Sequence, residues 1–532
     1  MKINNIIIGG ALMLGMSACT SSFEDLNTNH FEATEEMMET DNLKVGAFYN
    51  QMQLRVVLFD DGTGNCLSSD YQVAQGLSHD LYSGYIGPTG TWYASSGHNG
   101  MYNIIRGWNQ QMFNRAFSEL MPAWEKVANQ AKESNMPQIK AMADIVKVEG
   151  LHRVADTYGP IPYCSFGSGN TSAAYDKLED VYARFFQELD EAIDVLTPYA
   201  QTGQSLLADY DFIYGGDVAS WVKFANTLRL RLAIRCAYAD PALAQAEAEK
   251  SIQNPIGVIE AAAERAELQH GALSYFHPNY DIAYNFNAGE IRMSASMDSY
   301  MNGYKDPRRA QYFKTADDGQ YHGVRLGVLN INADKYSGGK VSNLNVDNST
   351  TPIVWMTAAE SYFLRAEGAL RGWNMGGTAE SFYKAGISIS FEENNCGKAD
   401  SYIADRTSKP AEYVDPTGDN NGMAAQSSVT IAWDESASDE TKLEKIITQK
   451  WIAMYPDGPE GWSEYRRTGY PKLLPVVRNL SNGQIDTKLQ IRRMPFPGSE
   501  YDTNPDGVAT GVANLGGPDT GGTKLWWDKK ER

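Results

Sequence analysis

Apolar residues recur through this chain at the spacing of α-helices, and little of it alternates as a sheet would. Leu178, Val181, Tyr182, Phe185, Leu189, Ile193 and Leu196 fall on one helical face. Trp221 to Tyr238 is apolar around much of its circumference, with Arg229, Arg231 and Arg235 interspersed, the pattern of a helix packed on several sides. Thr357-Ala358-Ala359-Glu360 reads as a capping box opening a helix through Tyr362, Phe363 and Ala366 to about Leu370. A further helix carries Leu443, Ile446, Ile447, Trp451 and Met454 and stops at Tyr455-Pro456-Asp457-Gly458. Strand signals are confined to Gly323–Asn332 and Ser427–Trp433. The Gly/Asn/Asp/Pro-rich stretches 60–100, 270–350, 394–435 and 496–523 read as loops. The expected fold is mostly α: helical hairpins stacked as in a solenoid, with long irregular loops and a few short strands.

The first residues make a second constraint. Lys2, an apolar run from Ile6 to Met16 and the small residues Ser17 and Ala18 lead into Cys19. This has the length and flanks of a secretory signal. A cysteine directly after the small residues is read as a lipobox, whose thiol is acylated after cleavage. An ordinary signal with an incidental cysteine is the alternative, since Met16 stands where Leu is commoner. Beyond the signal no stretch approaches 18 uninterrupted apolar residues, so no second membrane-spanning helix is expected.

The formal net charge of −20 argues against nucleic acid and anionic membrane surfaces as partners. Cys66, Cys164, Cys236 and Cys396 are scattered without a CxxC pair, and no disulfide framework follows from them. Cys236 reads as a small core residue. No H-E-x-x-H, G-x-S-x-G, P-loop or G-x-G-x-x-G motif is present. Paired carboxylates for glycoside cleavage stay open in a chain with 66 acids. No cofactor is expected. Asp60-Asp61-Gly62-Thr63-Gly64-Asn65 is a loose calcium-like run for a structural ion, but it lacks the terminal Glu of an EF-hand loop, and an acidic turn is the plainer reading.

Two loop regions are dense in aromatic residues. His79–Trp108 holds Tyr82, Tyr85, Trp92, Tyr93, Tyr102 and Trp108. Tyr275–Tyr304 holds Tyr275, Phe276, Tyr280, Tyr284, Phe286, Tyr300 and Tyr304. At the chain average of 11% such windows would hold about three each. Asn99, Asn103 and Arg106 interleave in the first, and Asn279, Asp281, Asn285, Asn287 and Arg292 in the second. Flat rings beside amides and guanidinium groups are what a sugar needs, because its C–H faces stack and its hydroxyls hydrogen-bond. Rigid rings also lose little entropy on binding. The bland alternative is that these rings pin their loops to the body. The site residues expected are Trp92, Tyr93, Asn99, Tyr280, Tyr284, Asn287 and Arg292.

Five segments, in order, carry a resemblance. Arg153–Tyr163 (RVADTYGPIPY) resembles a "YGDIP"-type turn, and Asp211–Arg231 resembles a central helix. Pro352–Ala369 is similar to an "AE" helix. Pro459–Pro471 (PEGWSEYRRTGYP) resembles an EG-x-x-W-x-x-x-RR-x-G block, and Arg492–Pro505 (RRMPFPGSEYDTNP) a terminal P-x-x-E…NP block. With the lipobox they resemble the SusD-like (SusD/RagB) nutrient-binding outer-membrane lipoproteins of Bacteroidetes. The resemblance implies four tetratricopeptide-like helix pairs carrying a loop-rich ligand face. It divides the chain into a signal peptide (1–18), a tether lipidated at Cys19 (19–40) and a SusD-like domain (41–532) whose ligand face draws on about 60–110 and 270–350. It also implies a surface-exposed, lipid-anchored lid on a SusC-like TonB-dependent transporter, binding oligosaccharide for uptake without cleaving it. Oligopeptide cargo is the runner-up; a lipid-anchored protein-binding scaffold and a glycoside hydrolase are the other rivals. Trp221, Arg229, Trp462 and Arg466 are expected to be structural, with Glu360 or Glu367 as buried partners for the arginines.

Overall fold

A computed structural model describes residues 43–90, 97–167, 172–268, 273–328, 333–336 and 339–531. The signal segment, Cys19 and the tether lie outside the described residues. The chain divides into an N-terminal unit, residues 1–47, and a body, residues 48–532, and the body is described below.

Among the described residues, nine of the longer helices carry the body: α1 (Met121–Glu133), α2 (Pro137–Tyr158), α3 (Leu178–Ala200), α4 (Val218–Arg235), α5 (Pro241–Gln253), α6 (Ala358–Leu370), α7 (Ala379–Glu393), α8 (Asp439–Ala453) and α9 (Gly458–Thr468). Successive helices pack in pairs (α1 on α2, α2 on α3, α3 on α4, α4 on α5, α6 on α7), while α6 also meets α4 and α8. This is the helical-hairpin architecture expected. No described helix is long and apolar enough to cross a membrane. The starts are set by short polar side chains and proline. Asp240 accepts from the Leu243 N–H at 3.0 Å with Pro241 at the first helical position, and Ser438 accepts from the Thr441 N–H at 3.2 Å.

The hairpins meet across charge as well as hydrocarbon. Arg231 of α4 forks onto Glu360 of α6 at 2.9 and 2.7 Å. Arg467 of α9 forks onto Glu367 at 2.7 and 2.6 Å and reaches Glu464 at 2.6 Å. Arg235 donates to Asp156 of α2 at 3.2 Å, to Glu464 at 3.0 Å and to Glu460. Lys450 of α8 lies between Glu460 at 3.1 Å and Glu360 at 3.4 Å. Arg153 bonds Glu149 and Asp457. All of these side chains are buried. Arginine and lysine charges around them hold Glu367, Glu460 and Glu464 below the usual carboxylate range, against the opposing effect of burial.

The acceptors are thus those expected, but the donors differ. Glu360 and Glu367 serve Arg231 and Arg467, whereas Arg229 bonds Asp190 at 2.6 Å. Arg466 donates to the Asp156 and Arg492 carbonyls at 2.6 and 2.9 Å and lies 3.6 Å over the Trp462 ring. Trp221 and Trp462 are buried structural rings, as is the Cys236 thiol.

The capping box is half made. Thr357 Oγ1 accepts from the Glu360 N–H at 3.3 Å, but the Glu360 carboxylate has gone to Arg231. Glu393 takes its place, accepting from the Ala358 N–H at 2.7 Å. Neither expected strand forms. Gly323–Asn332 is reduced to a single bridge between Val324 and Ser294, with residues 329–332 outside the described residues. Ser427–Trp433 stays irregular because side chains satisfy its carbonyls: Tyr383 Oη reaches Ile431 O at 2.7 Å and Lys445 Nζ reaches Ala432 O at 2.9 Å. The four described strands are β1 (Ile86–Pro88), β2 (Ala266–Leu268), β3 (Ile291–Met293) and β4 (Ile353–Met356), paired antiparallel as β1–β3 and β2–β4. Several segments read as loop hold short helices, among them Ser68–Tyr71, His79–Tyr82, Ala295–Gly303 and Pro505–Leu515.

Breaking one buried pair strands the remaining charges. Glu360→Ala is expected to cost about 3–5 kcal/mol of stability, and Lys384→Ala at the exposed Lys384–Glu380 pair less than about 1 kcal/mol. Denaturant midpoints of the two variants check this, and equal losses would contradict it.

Candidate functional site

The β1–β3 ladder splices the two aromatic-rich regions together. Ile86, Gly87 and Pro88 face Met293, Arg292 and Ile291. Gly87 is required by space: a Cβ there would lie 2.4 Å from Val324 O. Past the strand, the Thr89 N–H donates to Glu290 O at 2.9 Å and Thr89 Oγ1 to Gly289 O at 2.7 Å. Gly289 turns at φ +95°, with Ala283 O 2.4 Å from where its Cβ would be.

Two π-helical turns flank this ladder, Gln72–Gly76 and Asp281–Asn285. A π turn re-aims side chains that a regular helix would stagger, and such turns recur at functional sites. The second follows Pro278–Tyr280 and brings the Tyr280 and Tyr284 rings together, centroids 4.9 Å apart and planes 30° apart. Both tyrosines are half-buried. The Tyr284 hydroxyl donates to Leu344 O, and the Lys314 ammonium lies 4.8 Å from the Tyr284 ring centre. Asp281 accepts from Ser68 Oγ at 2.5 Å and from Asn285 Nδ2 at 2.7 Å.

Glu290 is the junction of this ledge. Its buried carboxylate accepts from Gln72 Nε2 of the first π turn and from Asn287 Nδ2 of the second aromatic region. Its backbone receives the Thr89 N–H and donates to Ile282 O at 2.9 Å. Burial raises its pKa above the ordinary glutamate value, while the two amides pull it back. Asn287 itself is exposed and sits in the left-handed region at φ 46°.

The expected site residues therefore divide. Tyr280, Tyr284 and Asn287 lie together on the ledge. Trp92 and Tyr93 lie outside the described residues. Asn99 is not on a ligand face: it is fully buried, donating to Leu77 O and Asn109 Oδ1 at 2.9 Å each and accepting from the Ile105 N–H at 3.1 Å. Arg292 is likewise turned inward, donating to Ala283 O at 3.1 Å and Ile291 O at 2.7 Å, and burial pulls its pKa down to about 10.

Most other rings of the two regions pin loops to the body. Tyr85 Oη donates to Trp451 O at 2.7 Å, Tyr275 Oη to Thr351 O at 2.8 Å and Tyr304 Oη to Val429 O at 3.0 Å. Gln72, Glu290 and Lys314 were missed because an aromatic count does not register them. In the calcium-like run, Asp61 pairs with Arg55 at 3.2 Å and accepts from Thr63 Oγ1 at 2.6 Å. Among the described residues no group of three or more His, Cys, Asp or Glu side chains is placed to hold a metal ion.

The chemistry of the ledge, two tilted phenol rings with side-chain amides nearby in the chain, suits a flat, hydroxylated ligand. Its carboxylates are engaged: Glu290 with two amides, Asp281 with Ser68 and Asn285.

Comparison with known proteins places the fold in a family. The model of the SusD-like family, the SusD and RagB outer-membrane lipoproteins, matches residues 25–528. A chitin-binding SusD homolog from Flavobacterium johnsoniae is 43% identical over 91% of this chain and 98% of its own, with a TM-score of 0.85. A SusD homolog from Bacteroides uniformis is 39% identical over 92% and 100%, TM-score 0.85. One from Bacteroides vulgatus is 36% identical over 93% and 99%, TM-score 0.86. No curated protein matches the chain. The chain belongs to the SusD-like family of nutrient-binding outer-membrane lipoproteins.

Proposed function

We propose that this protein binds oligosaccharide non-covalently at the Tyr280–Tyr284 ledge and presents it to a SusC-like TonB-dependent transporter. It does so from the cell surface, tethered through acylated Cys19. The ledge carries this reading: two neighbouring tyrosine rings at one π turn, with Asn287, three residues past Tyr284, sharing the Glu290 carboxylate with the Gln72 amide. Rings supply the apolar platform for sugar C–H faces and amides the orienting hydrogen bonds. The chitin-binding relative makes N-acetylglucosamine oligomers the first cargo to test.

Calorimetry with chito-oligosaccharides, other neutral glycans and peptide mixtures tests the reading. Glycan is expected to bind saturably and to be recovered uncut. Tyr280→Ala and Tyr284→Ala are each expected to weaken binding about tenfold, some 1.4 kcal/mol. Heat from peptides alone, or release of shortened sugars, would contradict it.

Glu290 supplies an independent check. Glu290→Gln replaces one acceptor with a donor facing amide N–H groups, so affinity is expected to fall several-fold while the unfolding midpoint changes little. Protonating Glu290 removes the same acceptor. Wild-type affinity should therefore fall as pH drops through its raised pKa, and the Gln variant should lose that dependence. Titrations at stepped pH measure both; equal pH profiles would rule the junction out.

A further inference from the structure

The loop that receives the Tyr284 hydroxyl at Leu344 has a second face. Behind it lies a cleft of about 500 Å³, between residues 344–352, the end of α7 and the turn after α8. That volume lies within the ~300–1,000 Å³ range of small-ligand sites. We propose that this cleft is a second saccharide-binding site, taking a neutral pyranose unit on the far side of the 343–348 loop from the tyrosine ledge. The inference rests on the glycan-binding reading for its ligand class, and on the cleft's own chemistry for its place.

Most of the charge lining the cleft is engaged by protein groups, while Asp347 also stays open to solvent. Arg265 pairs with Glu267 at 2.5 Å. Asp347 Oδ1 accepts the Ser349 and Thr350 N–H groups at 2.9 and 3.1 Å. Glu393 occupies the N-terminus of α6, accepting from Ala358 and Ala359 at 2.7 and 3.4 Å. An anionic ligand would find that helix end already filled by a carboxylate. Burial pushes the Glu393 pKa up to about 7, so the floor carries reduced charge near neutrality. These features select against anions and leave hydrogen bonding and apolar contact.

Both remain on offer. Gln311 and Asn395 line the cleft and are exposed, so they form its rim. Asn279, buried at the cleft wall, hydrogen-bonds the Tyr71 phenol and leaves its Oδ1 without a protein partner. A buried acceptor left unmet costs about 1–3 kcal/mol, which a ligand hydroxyl or its bridging water would offset. Half-buried Tyr455 and Pro456 present flat apolar surface. Amides beside a ring and a pyrrolidine reproduce the recognition chemistry of the ledge.

The test follows side-chain amide resonances of the whole chain, ¹⁵N-labelled at Asn and Gln, on titration with N,N′-diacetylchitobiose, cellobiose and inorganic phosphate. Gln311 and Asn395 should shift saturably with sugar and not with phosphate, and should still do so in Tyr280→Ala/Tyr284→Ala. In Gln311→Ala/Asn395→Ala the Asn279 resonance should respond at least about tenfold more weakly, with ledge affinity unchanged within about twofold. If sugar moves Gln72 and Asn287 but neither rim amide, the second site is wrong and the ledge stands. If the rim alone responds, the cleft stands and the ledge falls. Silence at both refutes both, and a response to phosphate alone refutes the neutral-ligand assignment.

Discussion

Arg231, Arg235, Arg467 and Lys450 lie among Glu360, Glu367, Glu460 and Glu464 at the place where α4, α6, α8 and α9 converge. Everything else in the body is arranged around this lattice. Apolar surface alone would hold helices in a hairpin stack without fixing their rotation, because leucines and valines tolerate sliding. Forked guanidinium–carboxylate pairs do not, since each demands two parallel bonds in one plane. The desolvation of so many charges is costly, and the attraction offsets it only when every member is partnered. Such a lattice therefore contributes more to which arrangement forms than to how stable it is.

That rigidity is what the ledge needs. The rings beneath it are tied to the helical body through Tyr85 on Trp451 and Tyr304 on Val429. The ladder places Thr89 and Glu290 in register, and Glu290 draws the Gln72 and Asn287 amides to the same carboxylate. A platform held in this way loses little freedom when a sugar settles on it. The carboxylates of the ledge serve as hydrogen-bond acceptors for protein groups, Glu290 for two amides and Asp281 for Ser68 and Asn285.

Helix existence was legible in the sequence because burial writes a 3.6-residue period, as along Leu178 to Leu196. The buried acceptors Glu360 and Glu367 were legible too, as carboxylates inside apolar helices. Which arginine each one meets was not, since helix rotation is set by all the partners at once. The strand expected over Ser427–Trp433 failed for a local reason: Tyr383 and Lys445 side chains satisfy backbone carbonyls that a strand partner would have taken. At the site, ring density located the region, and Tyr280, Tyr284 and Asn287 came with it. Asn99 and Arg292 carry the same side-chain chemistry but spend it on backbone, and no sequence pattern separates an amide facing a ligand from one closing a loop. Glu290 left no signal, since a lone glutamate among glycines and asparagines is indistinguishable from a solvated one.

The account stands most directly on where a glycan rests. A crystal structure of the protein grown with an N-acetylglucosamine oligomer should show an intact sugar lying across the Tyr280 and Tyr284 rings within hydrogen-bond reach of Gln72 or Asn287. A sugar bound elsewhere with both rings uncovered, or one cleaved in place, would contradict it.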